Sequence, residues 1–229
     1  MDTKLVIFDF DGTIMDTRKT IVIAKQETMR QMGLSIADEQ TCADTIGLSA
    51  KLGFQSIYPE LSDDMLELCV QNYRKNFEDT KEKVPPTLFP DMIDTLEKLK
   101  EKGIVCTIAT SRNSKSLNEF LNKMNIAQYF TYVLAAEDTL LLKPNPDPVI
   151  KTLHDLGYAA EQTLVVGDMP VDIQMGKKAG VYTCGVTYGN SDRNKLTEAG
   201  ADYVIDRISE LIDFMNLIIN QASLQDITS

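Results

Sequence analysis

Lys4-Leu5-Val6-Ile7-Phe8-Asp9-Phe10-Asp11-Gly12-Thr13 is the stretch on which the reading of the chain turns. Leu5 to Phe8 is an unbroken apolar run of strand length, the pattern of a strand buried on both faces of a parallel sheet. Asp9 and Asp11 follow where the strand runs out, and Gly12 lets the backbone turn directly after them. Positions i and i+2 of an extended segment share one face. Two neighbouring carboxylates raise each other's pKa by repulsion unless a cation sits between them. This strand end therefore asks for a metal, a shared proton, or both. The plain alternative is that Asp-Gly simply closes the strand as a turn.

Around this stretch lie 229 residues, enough for one large domain or two small ones. With 43% hydrophobic residues the chain builds a sizeable core without disulfides. The net charge of −11 argues against a nucleic-acid or anionic-membrane surface. It leaves room for a phosphorylated substrate, because a local metal inverts the field around it. Cys42, Cys69, Cys106 and Cys184 are far apart and have no metal-type spacing; Cys106 and Cys184 lie in apolar runs and read as core thiols. No signal peptide and no run of membrane-spanning length is recognisable, so a reducing, cytoplasmic setting is expected.

Downstream, Ile14–Thr17 leads into a stretch lasting to about Lys83 whose apolar positions recur at helical spacing. Ile21, Ala24, Thr28 and Met32 form one such series, and Leu66, Cys69, Val70, Tyr73 and Phe77 another. Four or five helices and no strand are expected there. Pro85, Pro86 and Pro90 then mark a linker. Beyond it strands and helices alternate. Strands are expected over Ile104–Ala109, Tyr132–Ala135, Thr163–Val166, Val181–Val186 and Tyr203–Ile205. Helices are expected over Asp91–Lys102, Ser114–Met124, Pro146–Leu156, Val171–Ala179, Arg193–Ala199 and Ile208–Ile219, with a frayed tail after Asn220. The fold class is α/β: a doubly wound, Rossmann-like parallel-sheet core carrying a small all-helical insert.

Ligands of such sheets sit beyond the carboxyl ends of the strands. Thr110 and Ser111 follow the strand that ends at Ala109; their hydroxyls suit either a helix cap or an anionic oxygen. Lys143 stands before Pro144 and Pro146, which stiffen the chain, and a fixed ammonium there balances paired carboxylates and grips a phosphoryl oxygen. Asp168 and Asp172 follow the strand that ends at Val166; Asp172 alone reads equally well as a helix N-terminal charge. Hard carboxylate oxygens with an open position suit Mg²⁺, which keeps waters and binds substrate phosphate. With His154 as the single histidine and no clustered cysteines, a zinc centre or a Ser-His-Asp triad is hard to build.

The ordered set resembles the four motifs of the haloacid dehalogenase superfamily of phosphotransferases. Asp9-Phe10-Asp11-Gly12-Thr13 matches its first motif, Thr110 its second, Lys143 its third and Gly167–Asp172 its fourth. The resemblance implies a core of residues 1–15 and 85–229 and a helical cap of residues 16–84. It implies Asp9 as nucleophile and Asp11 as general acid and base. It further implies that Thr110, Ser111 and Lys143 hold the phosphoryl group. Mg²⁺ would be bound by Asp9, Asp11 (through its main-chain carbonyl), Asp168 and Asp172. Within the superfamily Asp11 disfavours dehalogenases. β-Phosphoglucomutases carry a histidine where Ile21 stands. The runs Asp11–Thr17 and Thr45–Leu48 are more similar to phosphoglycolate phosphatases, in which the cap loop around Gly47–Lys51 meets the leaving group. The resemblance thus points to a phosphatase of a small phosphorylated metabolite, monomeric or homodimeric. A phosphosugar mutase, an inorganic pyrophosphatase and a non-catalytic regulatory module are the alternatives.

Overall fold

The computed structural model describes residues 3–213. Its centre is β1 (Leu5–Phe8), every residue of which is buried. It pairs in parallel with β4 (Val105–Ala109) on one side and β6 (Thr163–Gly167) on the other. With β5 (Phe130–Leu134), β7 (Tyr182–Val186) and β8 (Tyr203–Ile205) these form a six-stranded sheet in the order β5-β4-β1-β6-β7-β8. All five pairings are parallel.

The alternation along β1 divides the interior in two. Val6 and Phe8 point to the larger apolar cluster, with Leu96 and Leu99 of α5 (Met92–Glu101) and Leu117 and Phe120 of α6 (Ser114–Lys123). Leu5 and Ile7 point to the smaller one, with Val149 of α7 (Asp147–Leu156) and Met175 of α8 (Pro170–Lys178). A strand covered on both faces must be apolar at every position, which is why Leu5–Phe8 carries no alternation. The chain runs from β1 outward to β4 and β5, then crosses back to β6 on the other side of β1. The strand order reverses there, and a crevice opens at the carboxyl ends of β1, β4 and β6.

Between β1 and α5 lie four helices, α1 (Arg18–Gln31), α2 (Glu39–Ala43), α3 (Ala50–Ile57) and α4 (Asp63–Lys83). Helix α4 is capped by Ser62, whose hydroxyl accepts from the Met65 N–H. Helix α1 packs on α4, where the buried Asn76 side chain donates to the Thr28 hydroxyl at 3.0 Å. The segments entering and leaving this helical cap pair as a short antiparallel ribbon of β2 (Met15–Asp16) and β3 (Thr87–Leu88). These two-residue strands are too short to give a periodic signal, and the sequence reading has no strand there. The expected strand at Tyr132–Ala135 begins earlier, at Phe130, because β5 shifts register against β4 between Cys106 and Thr107. The expected Val171–Ala179 helix starts at Pro170, where a missing N–H is harmless. The closing Ile208–Ile219 helix and the tail after Asn220 fall largely outside the described residues; residues 210–213 are helical. Among the described residues no helix is long and apolar enough to cross a membrane.

Gly12 allows the turn after β1. Its φ is +90°, and a Cβ there would stand 2.2 Å from Asp168 Oδ2 and 2.3 Å from Asn190 Nδ2. Gly12→Ala is expected to cost about 3 kcal/mol through the strained backbone and the clash, read as a lower denaturation midpoint at unchanged slope.

Candidate active site

β1 delivers Asp9 to the crevice, and the strand ladder continues one residue past it through the Asp9 N–H on Val166 O at 2.9 Å. The loop after β5 delivers Lys143, which is 1% exposed. The turn after β6 delivers Asp168, and the first turn of α8 delivers Asp172; both are fully buried. Lys143 Nζ donates to Asp9 Oδ1 at 2.5 Å and to Asp172 Oδ1 at 2.7 Å. Asp172 Oδ2 accepts from the Met169 N–H at 3.0 Å, so this residue both caps the entry to α8 and holds the lysine. Asp168 Oδ2 accepts from the N–H and the side-chain amide of Asn190, both at 2.8 Å, and its Oδ1 accepts from the Thr13 hydroxyl at 3.1 Å.

Lys143 thus pairs with two of three neighbouring carboxylates, and full ionisation of all three would leave an excess of two negative charges in a place shut off from water. Burial first, then repulsion from Asp172 and Asp168, raises Asp9 well above the usual carboxylate range despite Lys143. Burial and the Asp172 charge push Asp168 up to about 7. Burial alone would lower Lys143, but Asp172 and Asp9 outweigh it and raise it.

Oxygens of Asp9, Asp168 and Asp172 lie within 4.8 Å of one another. Asp9 Oδ2 is buried and has no hydrogen-bond partner. A buried carboxylate oxygen left unpaired is costly, and a hard divalent ion between these oxygens supplies the missing contact and charge. The donor set therefore fits Mg²⁺.

Asp11 faces elsewhere. Its Oδ2 accepts from Arg112 Nε at 3.0 Å and its Oδ1 from Arg112 Nη2 at 2.5 Å, a two-pronged pair. The Arg112 guanidinium donates onward to the Ser116 hydroxyl at 2.7 Å and lies 4.7 Å from the centre of the Phe77 ring, on the cap helix α4. The Asp11 carboxylate is thus engaged by Arg112 and is not part of the three-acid group, although it lines the same cleft as Asp9. Thr110, 6% exposed, accepts from the Arg112 N–H at 3.2 Å through its hydroxyl. The Ser111 hydroxyl donates to Gly47 O of the cap at 2.6 Å, bridging the two parts of the molecule. His154 is exposed on α7, and the four cysteines are buried and free.

A cleft of about 530 Å³ lies between sheet edge and cap, lined by Asp9, Asp11 and Thr110 below and by Ile21, Lys25 and Gly47 above. Arg112, Asn190 and Lys25 have no part in the sequence reading of the site. For Arg112 and Asn190 a signal was available, since both follow the carboxyl ends of sheet strands. For Lys25, midway along an amphipathic helix, there was none.

A parallel sheet with this switch point, acids at its strand ends and a helical insert after the first strand define a doubly wound α/β protein with a helical cap over an acidic crevice. The chain matches the haloacid dehalogenase-like hydrolase family over residues 6–186. It is 30% identical over 213 residues to the phosphoglycolate phosphatase of Aquifex aeolicus, covering 93% of this chain and 97% of that one. It is 29% identical over 212 residues to pyrophosphatase PpaX of Oceanobacillus iheyensis, covering 93% and 96%. The fold superposes on a hydrolase from Pseudomonas syringae with a TM-score of 0.85 at 23% identity, covering 94% of this chain and 99% of the other. The chain belongs to the haloacid dehalogenase-like hydrolases.

Mg²⁺ at saturating concentration is expected to raise the melting temperature of the metal-free protein. A ligand at 100 times its dissociation constant stabilises by about 2.7 kcal/mol, or about 5–10 °C for a chain of this size. Asp168→Asn is expected to abolish that rise in a calorimetric scan.

Proposed function

We propose that the protein is a Mg²⁺-dependent phosphatase of a small phosphorylated metabolite, working through an aspartyl-phosphate on Asp9. The observation that carries this reading is the buried Asp9 carboxylate: one oxygen is held by Lys143 and the other has no partner at the head of the cleft. The names of the relatives, phosphoglycolate phosphatase and pyrophosphatase, support a small phosphate ester or anhydride as substrate.

In this mechanism residues 1–15 and 85–229 form the catalytic core and residues 16–84 the cap. Asp9, Asp168 and Asp172, with the Asp11 main-chain carbonyl, would hold Mg²⁺. The ion supplies neutralising charge for the phosphoryl oxygens and for the acids themselves. An Asp9 oxygen attacks phosphorus as the bond to the leaving oxygen breaks. Lys143 and the hydroxyls of Thr110 and Ser111 steady the phosphoryl oxygens, since phosphoryl transfer needs mainly positioning and charge neutralisation.

Asp11 gives a proton to the leaving oxygen and then takes one from the water that splits the aspartyl-phosphate. Both Asp11 oxygens are engaged by Arg112 in the structure. The pair must therefore open for Asp11 to reach the substrate, and the Ser111 hydroxyl must leave Gly47 to meet a phosphoryl oxygen. Both rearrangements are centred on the cap–core junction, so they couple chemistry to cap movement about the β2–β3 ribbon. The free, buried cysteines suit a reducing, cytoplasmic setting, and the reading takes the protein as a monomer or homodimer.

Asp9→Asn is expected to lower phosphate release from p-nitrophenyl phosphate by about 10³-fold or more while the melting curve remains cooperative; turnover like the parent's would remove Asp9 from its role. Mg²⁺ with a phosphate mimic such as beryllofluoride is expected to slow hydrogen exchange at residues 14–18 and 84–88. Unchanged exchange there would mean that the cap does not close.

A further inference from the structure

Lys25 sits on α1 in the roof of the cleft, 3% exposed. Its ammonium donates to Cys42 O at 3.1 Å and to the Thr45 hydroxyl. Both acceptors are neutral, and the Thr45 hydroxyl is itself committed to Cys42 O at 2.9 Å. No carboxylate among the described residues lies within ion-pair distance of Lys25. Asp11, a carboxylate whose charge acts on it, is taken by Arg112. Burial lowers Lys25 to about 8, with Cys42 and Asp11 acting the other way, so it is still largely charged at neutral pH.

A buried cation without a counter-charge is costly, and buried lysines are normally paired. The other cleft cations are placed differently. Arg112 is paired with Asp11, Lys51 is held by Asp63 at 3.2 Å and Glu67 at 3.1 Å, and Arg74 and Lys115 lie exposed, where solvent screens them. On the side away from the cleft Lys25 packs near Gly53, where a Cβ would stand 3.6 Å from its Nζ, an ordinary contact distance. An ammonium with no carboxylate partner thus lines the same cleft as the carboxylate that the phosphatase reading makes the nucleophile.

We propose that Lys25 is the cap's anion-recognition residue, so that the substrate carries a second negative charge, a carboxylate or a further phosphate, on the leaving-group side of the scissile phosphorus. The inference rests on the phosphatase reading and narrows it. A neutral sugar as leaving group would bury hydroxyls against an unpaired ammonium, whereas an anionic one supplies the counter-charge that the fold omits. The same charge explains how a protein of net charge −11 accepts a polyanion: attraction is local to the cleft.

The test compares 2-phosphoglycolate with p-nitrophenyl phosphate, whose leaving group has no carboxylate. The parent protein is expected to show the lower KM for 2-phosphoglycolate. Lys25→Gln, which keeps a hydrogen-bond donor but removes the charge, is expected to raise the ratio of the two KM values (2-phosphoglycolate over p-nitrophenyl phosphate) by about 10- to 100-fold, the worth of one charged hydrogen bond. Lys25→Arg is expected to restore part of it. Lys25→Met is expected to melt about 2–4 °C higher than the parent, as an uncompensated buried charge is lost.

A second arm needs no variant. Inhibition of the parent by 3-phosphonopropionate is expected to be at least tenfold tighter than by propylphosphonate, which lacks the carboxylate. Equal inhibition constants, or a KM ratio unmoved by Lys25→Gln, would overturn the assignment of Lys25. Absence of phosphate release from every ester, p-nitrophenyl phosphate included, would instead overturn the phosphatase reading beneath it.

Discussion

Three carboxylates, Asp9, Asp168 and Asp172, are held together out of water, two of them on the ammonium of Lys143. Isolated, none of these charges would tolerate such burial. Together they are sustained by hydrogen bonds from parts of the chain far apart in sequence. Asn190 and Thr13 satisfy Asp168, and the Met169 N–H satisfies Asp172. Each donor reaches its place because the strands that carry these residues are neighbours in one parallel sheet with β1 at its centre. The sheet order is what makes a dense group of like charges tolerable, and the residual charge is what makes the group suited to a divalent ion.

The cap meets this centre through a second polar junction, built round Arg112. Its guanidinium joins Asp11 on the core to an aromatic cluster that spans both parts, with Phe77 from the cap and Phe10 and Phe120 from the core. The rings of Phe77 and Phe120 meet edge-on at 6.2 Å. Lys81 on the cap and Glu119 on the core add a partly exposed ion pair at 2.6 Å, worth little by itself. Arg112 is the more consequential contact, since it is buried and stacked and occupies both oxygens of the residue proposed as general acid and base.

The sheet and its acids were legible in the sequence for a physical reason. Strands buried on both faces read as continuous apolar runs, and polar residues directly after such runs have few structural reasons to be there. Asp9, Thr110 and Asp168 all carry that signature, and the helical spacing of Leu66, Cys69, Val70, Tyr73 and Phe77 disclosed α4. What depended on side-chain contacts between loops and helices distant in the chain was not legible. The Arg112–Asp11 pair, the Ser111–Gly47 bond and the uncompensated Lys25 arise from contacts between segments 17 to 101 residues apart, which no local period encodes. Asp172 was ambiguous because its two oxygens do two things: one serves the helix start and the other Lys143.

The ribbon formed by Met15–Asp16 and Thr87–Leu88 has a consequence for how such molecules diversify. Paired antiparallel strands lie about 5 Å apart, so the chain departs from the core and comes back at practically one point. Everything between can be lengthened, shortened or exchanged wholesale without disturbing the register of the six strands. A new roof, and with it a new choice of which molecules are admitted, can be fitted over unaltered chemistry.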